Sequence, residues 1–245
     1  MHDYYKDIDK DWEKVLPDGI EFCHWGGKAA SRRLLDKLDI KPGEKVLDLC
    51  CGAAGTLGLA NPQARLYGLD ISPEATKQAR AYLDGLGRRD IQLVEGDARR
   101  MPFQDNYFDK IFSQDPDSFM SERKPVFVCE AHRVLKPGAT FTLQTYASTN
   151  RINEVDKEEI TDILNGLGYN HAQTLMLENL DSLFVSNGFK NVEITGLHDM
   201  YSEDNLRMLE LARQREVKSL IGLLECEKKL FDKGAWTGVL VEAKR

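Results

Sequence analysis

Cysteine is scarce in this chain. Its five cysteines (Cys23, Cys50, Cys51, Cys129 and Cys226) are odd in number and show no CxxC spacing, which argues against both a disulfide framework and a zinc site. No metal is expected, and reduced, mostly buried thiols are the simplest reading. Positive charge is also in short supply: Lys and Arg total 33 against 40 Asp and Glu, a formal net charge of -7, and the bases are scattered. The field needed to hold a nucleic-acid duplex is missing. No apolar run approaches the roughly 20 residues that span a bilayer. The opening Met1-His2-Asp3-Tyr4-Tyr5-Lys6 has no signal-peptide core, so a soluble, cytoplasmic protein is expected. Internal repeats and low-complexity tracts are absent too.

What the chain does have is length and patterning. With 245 residues and 42% hydrophobic content it can bury a full core, as one α/β domain with embellishments or as two small domains. From Lys45 to Gln144, short aliphatic runs alternate with helical stretches, the pattern of a parallel sheet covered by helices. Lys45–Leu49, Arg65–Leu69, Ile91–Glu95, Phe108–Ser113 and Thr140–Thr145 read as strands, and Val192–Thr195 and Gly238–Ala243 as two late ones. Helices are expected over Lys28–Leu38, Ser72–Leu86, Val126–Leu135 and Glu178–Asn187. Ser72-Pro73 supplies an N-cap and a first-turn proline, and Lys136-Pro137-Gly138 reads as a helix stop. Asp204–Lys229 carries apolar residues at helical spacing and reads as one long or broken helix. The expected fold is α/β: a Rossmann-like, seven-stranded, mostly parallel sheet with helices on both faces, a helical N-terminal lid and a substrate cap. We expect one domain over 1–245. Residues 1–44 would be the lid, 45–146 the cofactor-binding core, 147–176 and 199–232 the cap, and 190–245 would include the last strands.

Val46–Leu49 followed by Cys50-Cys51-Gly52-Ala53-Ala54-Gly55 is an apolar strand running into a small-residue turn. Such a turn lets backbone approach a ligand, and the next helix points N–H groups at it. Alone this signal is shared by many nucleotide sites. Asp70 ends the next strand about 20 residues on, where a carboxylate can accept both ribose hydroxyls. Val94-Glu95-Gly96-Asp97-Ala98 ends the third strand, where an acid can receive an adenine amino group. The run VLDLCCGAAG, YGLDISPEA, VEGDARRMPFQDNYFDKI and EAHRVLKPGATFTLQ, between about Trp25 and Tyr146, resembles the class I S-adenosylmethionine-dependent methyltransferases, in particular those that act on small metabolites. The resemblance implies S-adenosylmethionine as cofactor and S-adenosylhomocysteine as product. It also implies that Asp48 and Gly52 shape the methionine pocket, that Asp70 and Ile71 bracket the ribose, that Asp97 and Ala98 hold the adenine, and that Ser113 begins the floor beside the methyl group. Cys50 and Ala54 stand where the family usually has glycine, a change that is tolerated if neither position needs a positive φ.

Methyl transfer from a sulfonium is an in-line displacement that depends on alignment and on exclusion of water. An amine acceptor must be unprotonated, and a carboxylate can bind it and help its proton leave. The loop Phe112-Ser113-Gln114-Asp115-Pro116-Asp117-Ser118-Phe119 resembles that of amine methyltransferases for phosphoethanolamine, glycine and sarcosine, with Asp115 matching the acid that meets the amine. Phe119 replaces a histidine of the phosphoethanolamine enzymes, and Phe22-Cys23-His24-Trp25-Gly26-Gly27 lacks their partner tyrosine in register. Asp115 reads as a catalytic contact or as a turn acid before Pro116. His24 is the second acid–base candidate, whereas His132 reads as structural. The aromatic opening, with Tyr5 and Trp25, would close over cofactor or cation or pack as a helix on the domain. Gln114, Tyr5, Tyr146 and Tyr201 are expected around the acceptor. Vicinal Cys50-Cys51 allows thiol chemistry or plain packing.

The leading expectation is a small-molecule partner methylated on the nitrogen of an amine or amino acid, by a monomer or homodimer that binds neither nucleic acid nor membrane. The alternatives are carbon or oxygen methylation of a quinone-, sterol- or polyketide-like acceptor, and a cofactor-binding subunit without activity.

Overall fold

The computed structural model describes residues 11–116, 126–154 and 176–245. Tyr5, Phe119 and most of the expected 147–176 cap element lie outside them. The described elements form one seven-stranded sheet in the order β3-β2-β1-β4-β5-β7-β6. Its strands are β1 (Lys45–Leu49), β2 (Arg65–Asp70), β3 (Gln92–Glu95), β4 (Phe108–Gln114), β5 (Leu135–Ser148), β6 (Lys190–Gly196) and β7 (Trp236–Lys244). β1 to β5 pair in parallel, while β7 runs antiparallel to both β5 and β6.

Parallel strands buried on both faces need apolar residues on successive positions, and β1 and β4 supply them. Leu47 and Ile111 point to one face, with Phe127 and Val128 of α4 (Val126–Val134) and Leu180 and Phe184 of α5 (Leu180–Ser186). Val46 and Phe112 point to the other, with Leu34 of α1 (Gly27–Leu38), Leu57 of α2 (Gly55–Leu59) and Leu83 of α3 (Pro73–Gly85). A third cluster joins α6 (His198–Gln214) and α7 (Lys218–Asp232) to Trp25, Tyr146 and Trp236 above the β5–β7 edge. In α3 the Ser72 hydroxyl accepts from the Ala75 amide at 3.2 Å and Pro73 opens the helix, a cap worth about 1 kcal/mol.

One expectation changes, and of the two readings of the last helical stretch the broken one holds. Lys136-Pro137-Gly138 stands within the first residues of β5, with a register shift against β4 between Phe108 and Lys110. Gly138, at φ 78°, allows this bend. The long helix is broken: α6 ends before Arg215, Glu216 takes φ 56°, and α7 starts at Lys218. The Val217 amide meets the Ala212 carbonyl at 2.9 Å, which closes the first helix and lets the second fold back on it. No helix among the described residues is long and apolar enough to cross a membrane.

Candidate active site

The carboxyl ends of β1, β2 and β3 bring three acids to one place. Asp70 organises the turn after β1. One carboxylate oxygen accepts from the Gly52 amide at 2.9 Å and the other from the Ser72 amide at 2.9 Å, while the Cys50 and Cys51 amides bond the Leu69 carbonyl. Burial raises the Asp70 pKa above the usual carboxylate range, opposed by hydrogen bonds from Ser72, Gly52 and Ile71. A carboxylate has about four lone-pair positions, so with three donors on it about one remains for a ligand hydroxyl. Asp48 is buried, and its pKa is pushed well up by desolvation and by the charge of Asp70. Its carboxyl has no hydrogen-bond partner among the described residues. Such a group calls for a proton or a bound cation.

The turn itself carries strain. Cys50 has φ 65° and Ala54, the N-cap of α2, has φ 63°. Both positions therefore need the left-handed conformation that the sequence reading took them not to need. For a residue with a Cβ this costs on the order of 1–2 kcal/mol. Gly52 is left-handed as well, at φ 50°, and a Cβ built there would meet nothing within 4 Å, so the turn opens onto free space. Ile71 beside it is 38% exposed, an apolar surface ready for a ligand. A desolvated carboxyl at Asp48, an open small-residue turn and a ribose-ready acid together fit S-adenosylmethionine, whose methionine end carries an ammonium and whose sulfur is positive. Asp48, Gly52, Asp70 and Ile71 would hold it.

Asp97 has a second role. It caps the short helix Ala98–Arg100 through the Arg99 amide at 2.8 Å and pairs with the Arg99 guanidinium at 2.7 Å. That pairing holds its pKa below the ordinary range. Ala98 is buried. The charges of Asp70, Asp48 and Asp97 all raise the Cys50 thiol pKa, after desolvation, the largest cause. Cys51 is pushed up by burial too. Thiols of this kind are poor nucleophiles, which favours packing for the vicinal pair. Among the described residues no His, Cys, Asp and Glu group is placed to hold a metal ion.

A second constellation lies at the carboxyl ends of β4 and β5. Asp115 follows β4 in a left-handed conformation, φ 44°. Its carboxylate accepts from the Trp25 amide at 2.9 Å and from the Tyr201 hydroxyl at 2.6 Å. The next amide, Gly26, donates to Asp204 at 2.8 Å, whose pKa is raised by burial. Two acids from distant elements thus grip consecutive amides of the N-terminal segment. Trp25, expected on the cofactor, has its ring stacked on Tyr201 (5.7 Å between centroids, 29° between planes) and edge-on to Phe231. Tyr146 is buried and stacked on Trp236. Two glycines permit this assembly. A Cβ on Gly55 would collide with the Glu21 carbonyl, and one on Gly238 with the Tyr201 ring.

Beneath the clasp runs a polar chain. Thr56 donates to Gln114 at 2.7 Å, the Gln114 amide reaches Gln144 at 3.3 Å, and Gln144 donates to the Trp25 carbonyl at 3.0 Å. Ser31 joins Thr56 at 2.7 Å to His24 Nε2 at 2.9 Å. His24 Nδ1 faces the Trp25 carbonyl at 3.4 Å. Nε2 is thereby engaged by Ser31, and burial lowers the pKa to about 4. This removes His24 from acid–base work and makes it a support for the segment. Ser113 is likewise fully buried and donates to the Leu49 carbonyl at 2.6 Å; it ties β4 to the cofactor turn.

The structure therefore brings Asp48, Cys50, Gly52, Asp70, Ile71, Asp97 and Ala98 to one edge. It gathers Trp25, Gln114, Asp115, Tyr146 and Tyr201 at its neighbour. Sequence reasoning missed Ser31, Thr56, Gln144 and Gly238, which carry no motif signal of their own. Asp204 entered it only as the start of a helical stretch.

Residues 46–138 match the methyltransferase domain family. A demethylmenaquinone methyltransferase of Bacillus cytotoxicus is 33% identical over 147 residues, which cover 56% of this chain and 58% of that protein. Among solved structures, the chain superposes on phosphoethanolamine N-methyltransferase 2 of Haemonchus contortus, in complex with phosphomonomethylethanolamine and S-adenosylhomocysteine. The TM-score is 0.85 at 18% identity, covering 99% of this chain and 58% of that one. It also superposes on a cyclopropane synthase of Mycobacterium tuberculosis, with a TM-score of 0.77 at 18% identity over 98% of this chain and 95% of that one. The chain thus spans little more than half the length of the first two. Residues 46–138 are thus similar to the methyltransferase domain family, and the chain shares the fold of these solved structures.

Proposed function

We propose that the chain transfers a methyl group from S-adenosylmethionine to the nitrogen of a small amine or amino acid. The observation that carries this reading is the Asp115 carboxylate, held by Tyr201 and the Trp25 amide at the edge next to the cofactor turn. The bound cofactor would supply an electrophilic methyl on a positive sulfur. Asp115 binds the amine at its carboxylate, orients the nitrogen lone pair and takes up the proton that the methylated nitrogen sheds. Tyr201 holds that carboxylate by a charge-assisted bond. Trp25, Tyr146 and Tyr201 line the acceptor side and keep water out. Asp115 and Asp204 make this edge acidic, which favours a cationic acceptor over an anionic one.

A second reading, carbon or oxygen methylation of a quinone-like acceptor, is favoured by the aromatic wall of Trp25, Tyr146, Phe231 and Trp236 and by the name of the Bacillus cytotoxicus relative. Methyl-labelled cofactor incubated with the protein and a metabolite extract, read by mass spectrometry, decides between them. Label on amine nitrogen is expected. Label only on neutral lipophilic compounds overturns the amine reading in favour of the second, and no label at all indicates a binding subunit.

A further inference from the structure

The polar chain under the clasp has a direction. The Trp25 carbonyl can only accept, so Gln144 must turn its amide nitrogen to it and its oxygen to Gln114. Gln114 then offers nitrogen to Gln144 and oxygen to Thr56. With its one proton given to Gln114, Thr56 accepts from Ser31, and Ser31 accepts from His24 Nε2–H. Each hydrogen bond in the run from His24 to Trp25 then points in one sense, with the His24 proton on Nε2. Its anchor, Thr56, belongs to the helix that leaves the cofactor turn.

Gln144 stands where this chain meets Asp115. Its own backbone carbonyl accepts from the Asp115 amide at 2.9 Å, and its side chain holds the Trp25 carbonyl while the Trp25 amide holds the Asp115 carboxylate. Asp115 is thus gripped at its main chain and, through Trp25, at its side chain. Left-handed backbone at an aspartate has a cost that surrounding contacts must offset. We propose that Gln144 is a positioning residue that aims the Asp115 carboxylate by fixing the Trp25 segment over it, and that it touches neither cofactor nor acceptor. The inference deepens the reading of Asp115 as the amine contact and rests on it for its catalytic meaning.

Gln144→Glu gives a test that plain loss of packing cannot imitate. A protonated glutamic acid can accept from Gln114 and donate to the Trp25 carbonyl, as the glutamine does. An ionised one turns a negative oxygen on that carbonyl. Asp115, Asp204, Tyr201 and His24 are the titratable groups in contact with the clasp, so the wild-type chain measured in parallel subtracts their contribution. Hydrogen exchange of the full chain, corrected for intrinsic rates, should show the Trp25 and Gly26 amides exchanging at least tenfold faster in Gln144→Ala, with β1 and β4 amides unchanged. In Gln144→Glu the same amides should lose protection at pH 8 and regain it toward pH 5.5. Methyl transfer from labelled cofactor to a pooled amine fraction should follow that recovery, with the Kd for S-adenosylhomocysteine within twofold of wild type throughout. Wild-type protection in Gln144→Ala, uniform loss across all strands, or a Gln144→Glu response identical to wild type overturns the proposal. If no variant and no wild-type chain labels an amine, the functional reading fails, while the exchange data still decide whether Gln144 holds the segment.

Discussion

The two halves of the site are built in opposite ways. At the β1–β3 edge the contacts that matter are local to neighbouring strand ends: Asp70 reaches Gly52 and Ser72, and Asp97 reaches Arg99. At the β4–β5 edge they join residues far apart in the chain. Trp25 to Asp115 spans 90 positions, Gln144 to Trp25 119 and Gly26 to Asp204 178. The first edge is a motif that can be carried between proteins as a piece. The second exists only once the N-terminal segment, β5 and α6 have come together, and there a family sharing one cofactor can diverge in acceptor.

If the edges act separately, changes at the second should alter transfer and spare the cofactor. The largest effect is expected from Asp115→Asn, which removes a charge-assisted contact of about 2 kcal/mol and should lower kcat/KM for the amine about thirtyfold. An equal loss of cofactor affinity, read by calorimetry, would merge the two edges into one. Gly238→Ala comes next. Its methyl collides with the Tyr201 ring, so the variant should lose about 1–3 kcal/mol in denaturant unfolding and release the Tyr201 grip on Asp115. A neutral result would show that the ring can step aside. The smallest effect belongs to the cofactor turn: Ala54→Gly removes left-handed strain and should leave stability equal or higher by up to about 1 kcal/mol. A thermal melt shifted downward would contradict the turn geometry.

Legibility in the sequence follows the same division. β1 is predicted with the ends it has in the structure, as Lys45–Leu49, and Ser72-Pro73 correctly opens α3, because apolar runs and capping chemistry act over a few residues. Asp70 was readable for the same reason, standing at a strand end a fixed distance after a small-residue turn. The left-handed backbone at Cys50 and Ala54 was hidden, since neither residue type signals it. A broken helix was one of two readings, but the place of the break, at Glu216, was hidden, with no proline or glycine to mark it. His24 drew attention as a titratable group next to an aromatic. Its function depends on Ser31 and on the Trp25 carbonyl, contacts that spacing does not reveal. Gln144 lay inside a recognised motif without a role, because its partner Trp25 is supplied by another part of the chain.

We propose that cofactor binding resides in the β1–β3 edge alone, and calorimetric titration of S-adenosylmethionine into Asp70→Ala and Asp115→Asn, side by side with wild type, tests this most directly. The expected result is a loss of more than about tenfold in affinity, roughly 1.4 kcal/mol, for Asp70→Ala and no change beyond twofold for Asp115→Asn. Unchanged affinity in Asp70→Ala, or an equal loss in both variants, would contradict it.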